Sequence, residues 1–314
     1  MPRRPGCTNR IEPAPLPQVH LSRDYPDTVV AENMRSGRWL RASRGIFVDA
    51  IGARSETDFD REERLALARA VGVHRRLKAD HWFSHTTAAL LWGLPLWLPG
   101  STTHILSPFR GGAERSSDLT IHTGPLDETG MLRTMPVTSL ARTVADCLSL
   151  LPPAQGLVVV DGALNRGLDP DELRRAVEAR AGRRGSARAR TLLSLADDGP
   201  ESPGESMTRF WVLLAGLPQP TTQVRVETRL GTFWADLGWE EWRLLLEYDG
   251  RIKYAATGPD SLVAEKRRHD ALVEEGNTVL RVTKEDFRSV AGRVERAAPA
   301  DLRRYLVPRP ALAA

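Results

Sequence analysis

An α/β protein, α+β in its order of elements, is expected from three observations. The chain has 314 residues, room for about two domains at roughly 100–200 residues each. It is 41% hydrophobic and 27% charged, enough apolar surface for a sizeable core. The pattern also changes at Asp197-Asp198-Gly199-Pro200, from helical spacing before it to strand-like alternation after it. The expectation is therefore a largely helical N-terminal half joined to a C-terminal mixed sheet flanked by helices.

The elements follow in order. Residues 1–24 are Pro-rich and read as a loose tail. Residues 25–137 read as a small α/β region. Asp27 to Ser36 suits a short helix. Arg38-Trp39-Leu40-Arg41 and Gly45-Ile46-Phe47-Val48 read as strands about a Ser43-Arg44-Gly45 turn. A helix followed by a basic hairpin is how a winged helix ends. Asp60 to Ala79 places Leu65, Ala68, Val71 and Leu77 at near-helical spacing. Ser84 is the expected N-cap of a helix to Leu91, stopped by Gly93-Leu94-Pro95. Thr102–Leu106 and Leu119–His122 read as strands, with Gly111-Gly112 in the loop between them. Residues 138–199 read as four helices near 138–150, 153–166, 170–181 and 185–197, with Asp169-Pro170 as a start signal. Residues 200–304 give helix Glu201–Leu214, strands Gln223–Glu227, Thr232–Leu237 and Arg243–Asp249, helix Asp260–Glu275, strand Thr278–Val282 and helix Lys284–Arg296. That order is α-β-β-β-α-β-α, a mixed sheet with flanking helices.

Composition excludes several classes. Basic residues number 44 and acidic 40, so a polyanion partner is permitted but not established. Only four of the basic residues are lysines, which makes their positions informative. No apolar run approaches the roughly 20 residues of a membrane helix. Met1 to Pro17 has no apolar stretch, so no secretory signal is expected. Cys7 and Cys147 make neither a disulfide framework nor a zinc set, which suits two reduced thiols in a cytoplasm. Neither a G-x-x-x-x-G-K-[ST] nor a G-x-G-x-x-G run occurs, so no nucleotide cofactor is expected.

Chemistry concentrates in three acids, Asp236, Glu247 and Asp249. In RLLLEYD, Leu244, Leu246 and Tyr248 point one way while Leu245, Glu247 and Asp249 point the other. A tight turn at Glu241-Trp242 would place Asp236 directly across from Glu247. Opposed side chains have Cβ atoms about 4.5–5.5 Å apart, and like charges so placed destabilise the pair unless compensated. A hard divalent cation, Mg²⁺ or Mn²⁺, compensates through carboxylate oxygens. Phosphodiester hydrolysis uses such a cation to generate the nucleophile and neutralise the leaving oxygen. Lys253 lies just past Asp249-Gly250, where an ammonium can stabilise phosphate charge. The competing reading is a set of polar residues on the wet face of a half-buried sheet.

The stretches FWADLGWEEWRLLLEYDGRIKY and AEKRRHDALVEEGNTVLRVTKEDF, with SPGESMTRF before them, resemble the very-short-patch-repair-like branch of the PD-(D/E)XK (restriction-endonuclease-like) nucleases over about residues 200–300. The resemblance implies a restriction-endonuclease-like sheet and a metal-dependent DNA endonuclease. Glu205 then matches the acid of the first core helix, Asp236 the first-strand acid, and Glu247 the acid of the E-x-K pair. Asp236 and Glu247 would hold the metal. Asp249 stands where that pair has its lysine, and Lys253 would supply the displaced cation. Arg267 and Arg268, on the next helix, would touch backbone phosphate; a salt-bridged exposed helix with Glu265 and Asp270 is the alternative. More faintly, RSGRWLRASRGIFVD, HWFSHTTAALLWGLPL and PVTSLARTVADCLSLL resemble the AbiEi-type antitoxin family of winged-helix regulators. That resemblance implies wing cations Arg38, Arg41 and Arg44 reaching DNA, and a protein partner, either a toxin or a second copy. The residues before Asp27 are too poor in apolar side chains for two leading helices, a departure from that pattern. The alternative function is a catalytically inactive DNA-binding regulator or the antitoxin of a toxin–antitoxin system.

Other features read as structural. His81 and His85 have i, i+4 spacing but lack the following H-E-x-x-H pattern. His104 and His122 read as lone strand histidines. Trp234 and Trp239 flank the acids and either stack on bases or are buried beside the sheet. The seven arginines between Asp171 and Arg190 form either a solvated helical face or a nucleic-acid contact.

Overall fold

The computed structural model describes residues 10–51, 56–108, 118–250 and 259–313. Lys253, Cys7, Gly111 and Gly112 lie outside the described residues. The chain is α/β, with helices and, among the described residues, three sheets. It forms two compact units, one of Ile11–Leu150 with Asp171–Ala179, the other chiefly of Leu151–Pro170 and Arg180–Ala314. Among the described residues no helix is long and apolar enough to cross a membrane.

In the first unit the Pro-rich stretch departs from expectation. Ala14 and Val19 are buried, and β1 (His20–Leu21) pairs antiparallel with β3 (Ile46–Asp49), which pairs with β2 (Trp39–Ser43). Val19 and Leu21 enter one cluster with Ala42, Ile46, Val48, Leu65 and Ala68. α1 (Asp27–Arg35) leads into the hairpin, and Gly45 at φ 70° supplies the left-handed residue its turn needs. α2 (Asp58–Arg76) starts two residues before the expected Asp60. Thr57 is its N-cap, and a reciprocal box with Asp60 satisfies two end N–H groups.

A second, five-stranded sheet completes this unit, in the order β6 (Leu119–Thr123), β5 (Thr103–Ser107), β4 (Trp82–Phe83), β8 (Met135–Thr138), β7 (Thr129–Leu132). α3 (His85–Leu91) packs on β5, and α4 (Leu140–Leu150) packs on α3. β4, β7 and β8 were not expected, since two to four residues are too short to show a period. Ser84 occupies the N-cap position of α3, but its side chain makes no cap bond to the helix.

The second unit is built around a four-stranded sheet in the order β12 (Thr278–Val282), β11 (Leu244–Tyr248), β10 (Gly231–Trp239), β9 (Thr221–Thr228). β9, β10 and β11 are antiparallel, and β11 and β12 run parallel. α8 (Pro203–Leu214) packs on β10 and β11, and α9 (Pro259–Glu274) on β9 and β12. The last expected helix is shorter, α10 (Val290–Ala297), after turns through 283–289. α5 (Pro153–Asn165) and α7 (Ser186–Leu195) belong with α8 rather than with a separate helical region. The compositional break at Asp197–Pro200 therefore lies inside a unit. Asp197 holds it there: its Oδ1 accepts from Gly199 N at 2.8 Å and from the Thr222 hydroxyl at 2.7 Å.

Candidate active site

The β10–β11 hairpin sets the geometry. Leu237 faces Leu246, Gly238 faces Leu245 and Trp239 faces Leu244, the register that carries Asp236 to Glu247. The turn is wider than expected, with a 3₁₀ turn at Glu240–Trp242 and Arg243 at φ 48°. It widens equally on both strands, so the register is unchanged. Alternation along β11 also holds. Leu245 packs with Leu272 of α9, while the Tyr248 ring lies against Gly204 of α8.

The regular ladder ends at Leu237, and Asp236 uses its side chain instead. Its Oδ2 accepts from the Tyr248 backbone N–H at 2.7 Å. Burial first, and then the charges of Glu205 and Glu247, push the Asp236 carboxyl up to about 8, against the pull of the Tyr248 N–H and of Arg268. The charges of Glu205, on α8, and Glu247, on β11, thus reach the buried Asp236 of β10.

Glu205 is placed by the start of α8. Ser202 is the N-cap, accepting from Glu205 N at 3.2 Å. The Ser202 hydroxyl donates to Glu205 Oε1 at 2.8 Å, and Glu201 N donates to Oε2 at 2.8 Å. A helix N-terminus favours a carboxylate there by its unpaired N–H groups and dipole. Gly204 lets this turn approach β11 closely, because a Cβ there would fall 1.9 Å from Tyr248 Cε1. Gly204→Ala is accordingly expected to lift α8 off β11 and cost roughly 1–3 kcal/mol by overpacking, read as a lower urea midpoint than that of Ala215→Gly, a control at the other end of α8.

Glu247 is met by Arg268 of α9. The guanidinium Nη2 is 2.7 Å from Glu247 Oε1, a charge contact outside hydrogen-bond alignment, and it donates to Trp234 O at 2.8 Å. Arg268 therefore faces the acids, whereas Arg267 is exposed. The neighbouring Glu265 pairs with Arg281 at 2.7 Å. Asp249 closes the parallel ladder, its N–H donating to Val282 O at 2.8 Å. Its charge is felt at Tyr248. Sequence reasoning missed Gln223, which adopts φ 50° on β9 and aims Nε2 toward Glu205 Oε2 at 3.5 Å. A left-handed glutamine inside a strand leaves no periodic signal.

Glu205, Asp236 and Glu247 are oxygen donors of the kind a hard divalent cation takes, and the charges of Glu205 and Glu247 act on Asp236, although among the described residues only His85, His104 and His122 bring ligand atoms within 4.8 Å of one another. Trp239 is accounted for by packing: it is buried, stacks on Trp242 and donates to Pro218 O at 3.2 Å.

In the first unit the three hairpin arginines are all exposed. Arg38 bonds Asn33 and Glu32, each at 2.8 Å, while Arg41 lies over the Phe47 ring with its guanidinium carbon 5.7 Å from the centroid. Arg44 occupies the turn. The strand histidines are not lone. His104 Nδ1 lies 2.9 Å from His122 Nε2, and the His85 ring stacks on His122 with centroids 3.8 Å apart. Burial, then the charge of His122, push His104 down to about 4; burial also lowers His122, although Asp146 pulls it back. His81 instead meets His74, with 3.1 Å between Nε2 and Nδ1.

No family model matches the chain. Two curated proteins of Mycobacterium tuberculosis, from strains CDC 1551 / Oshkosh and H37Rv, both described as uncharacterised, are each 33% identical over 159 residues, covering 50% of this chain and 58% of the relative. The chain thus spans somewhat more than half the length of the curated relatives it matches. Among solved structures, the RV2827C protein from Mycobacterium tuberculosis has a TM-score of 0.36 and 15% identity, covering 64% of this chain and 83% of that one. That is too low for a shared fold to be argued.

Proposed function

We propose that the second unit hydrolyses DNA phosphodiester bonds in a divalent-metal-dependent reaction, as a very-short-patch-repair-like endonuclease domain joined to an antitoxin-like DNA- or partner-binding region. The carrying observation is the hairpin register that carries Asp236 to Glu247, with the charges of Glu205 and Glu247 acting on a buried Asp236 pushed up to about 8. Asp236 and Glu247 would hold Mg²⁺ or Mn²⁺. When bound, the ion supplies Lewis-acid stabilisation of the phosphate and of the departing oxygen. The chain's own groups do the rest. Glu205, held by the Ser202 hydroxyl and Glu201 N–H, orients the attacking water. Arg268, partly exposed and donating to Trp234 O, is placed to hold a backbone phosphate beside the acids. Arg38, Arg41 and Arg44 offer a basic exposed edge to a polyanion.

One observation favours the inactive alternative. Arg268 already neutralises Glu247 at 2.7 Å, and Asp249 stands where the resembled pair carries its lysine. A regulator or antitoxin that only holds DNA or a protein needs no more than that.

The test is incubation of the purified chain with supercoiled plasmid, single-stranded DNA or RNA, in Mg²⁺, Mn²⁺ or EDTA, beside an identically prepared Glu247→Ala protein. Metal-dependent cutting of DNA by the wild type alone is expected. If both proteins bind DNA and neither cuts, the regulator reading replaces the nuclease.

A further inference from the structure

In the first unit, three histidines remote in sequence come together. One nitrogen of each ring of His85, His104 and His122 lies within 4.8 Å of the others. We propose that these three side chains bind a zinc-class divalent transition-metal ion, with the fourth position left to water or a small anion.

The backbone is arranged for this convergence. β5 and β6 run parallel in a register that pairs His104 with Thr120 and Leu106 with His122. The two histidines are therefore diagonal neighbours on one face, since side chains two residues apart in a strand share a side. His85 comes from the β4–α3 junction, which is pinned to the same strand. Ser84 N donates to His104 O at 3.1 Å, and His104 N donates to the Thr87 hydroxyl at 2.9 Å. His85 itself adopts φ 51°. That left-handed conformation costs a non-glycine residue on the order of 1 kcal/mol and concentrates at functional sites. Here it turns the ring onto His122.

The chemistry selects the ion. Three imidazoles with no thiolate suit Zn²⁺ and its first-row neighbours, not the hard Mg²⁺ expected of the carboxylate site. Neutral imidazole is the binding form, and burial favours it by lowering both the His104 and the His122 pKa. Zn–N bonds are about 2.0–2.1 Å, so small ring rotations bring the three nitrogens to one centre. Asp146 of α4, whose charge already acts on His122, supplies the carboxylate that commonly supports a metal-bound histidine. Three protein ligands plus one exchangeable position is the pattern of an open zinc site rather than a closed structural one.

The experiment uses the full chain, stripped with a chelator and dialysed. Zn²⁺ is titrated by calorimetry, and Co²⁺ by its visible absorption, on wild type, His85→Gln, His104→Gln, His122→Gln, His81→Gln and Glu247→Ala proteins, each checked by circular dichroism. One high-affinity ion per wild-type chain is expected, with the absorption of four-coordinate Co²⁺. Folded His85→Gln, His104→Gln or His122→Gln protein should bind at least about 10-fold more weakly, since losing even a supporting partner of a ligand costs about that much. His81→Gln and Glu247→Ala should bind as wild type does. A readout independent of any substitution is the ¹⁵N-histidine spectrum of the wild type, where Zn²⁺ should shift ring signals of three of the seven histidines. Unchanged affinity in the three variants, loss on His81→Gln or Glu247→Ala instead, or no shifted ring signals would overturn the site. Because Glu247→Ala is scored separately, failure of the nuclease leaves this result readable.

Discussion

Asp161→Ala is expected to lower stability by about 3–5 kcal/mol, the cost of stranding a buried charge, out of a total of roughly 5–15 kcal/mol for a typical domain. Asp161 of α5 and Arg209 of α8 are both fully buried. Arg209 donates to it twice, from Nη2 at 2.5 Å and Nε at 3.2 Å, and a third N–H, on Nη1, reaches Leu195 O at 2.5 Å. Asp161 Oδ1 also accepts from Asp197 N at 3.0 Å. This one pair joins α5, α8 and the end of α7, and α8 in turn carries Glu205. Removing one partner leaves a guanidinium with no water and no carboxylate. Replacing both by apolar residues of similar volume, as in Asp161→Leu with Arg209→Met, is expected to recover most of the loss. Urea denaturation at neutral pH reads both. Equal losses in the single and double variants would mean that the pair acts through packing rather than through charge.

That network also explains what was legible in advance. Strand alternation and helical spacing placed the elements of the C-terminal sheet in order, because each was long enough to show its period. The Asp236–Glu247 register could be worked out because the hairpin turn widened symmetrically. Asp161 was overlooked, although a lone acid inside VVVDG of an apolar helix is itself a sign of a buried partner. The short strands β4, β7 and β8 gave no period to read. The histidine cluster was invisible for another reason: His85, His104 and His122 have no mutual spacing, and only the parallel β5–β6 register and the pinned junction bring them together. Arg268 was read as a phosphate contact or an exposed salt bridge to Glu265 or Asp270. Its partner in the structure is Glu247, a long-range pairing that helical spacing does not encode.

Asp236→Asn is expected to abolish metal-dependent cleavage while making the metal-free protein more stable at pH 8. The carboxyl normally titrates at 3.8 and is pushed up to about 8 in the fold. Between those values the unfolded chain has lost the proton and the folded chain retains it. The folded state then binds more protons, so stability falls as pH rises through the window and levels off above about 8, by at most about 1.4 kcal/mol per pH unit. An amide is neutral throughout and can still accept from the Tyr248 N–H, so the variant in EDTA should show a flatter profile and a higher melting temperature at pH 8. Mg²⁺ reverses the comparison. It binds the ionised wild-type site and stabilises the folded state by mass action, whereas the amide, a weaker ligand without charge, should respond little. The same loss should reduce cleavage by roughly 100-fold or more, since a metal's several kcal/mol of transition-state stabilisation is worth a factor of ten per about 1.4 kcal/mol. Melting curves from pH 5 to 9, with EDTA or Mg²⁺, are set beside plasmid cleavage. Should Mg²⁺ stabilise both proteins equally, or the variant cut at the wild-type rate, Asp236 is not a metal ligand, and its raised pKa reflects burial among acids without catalytic use.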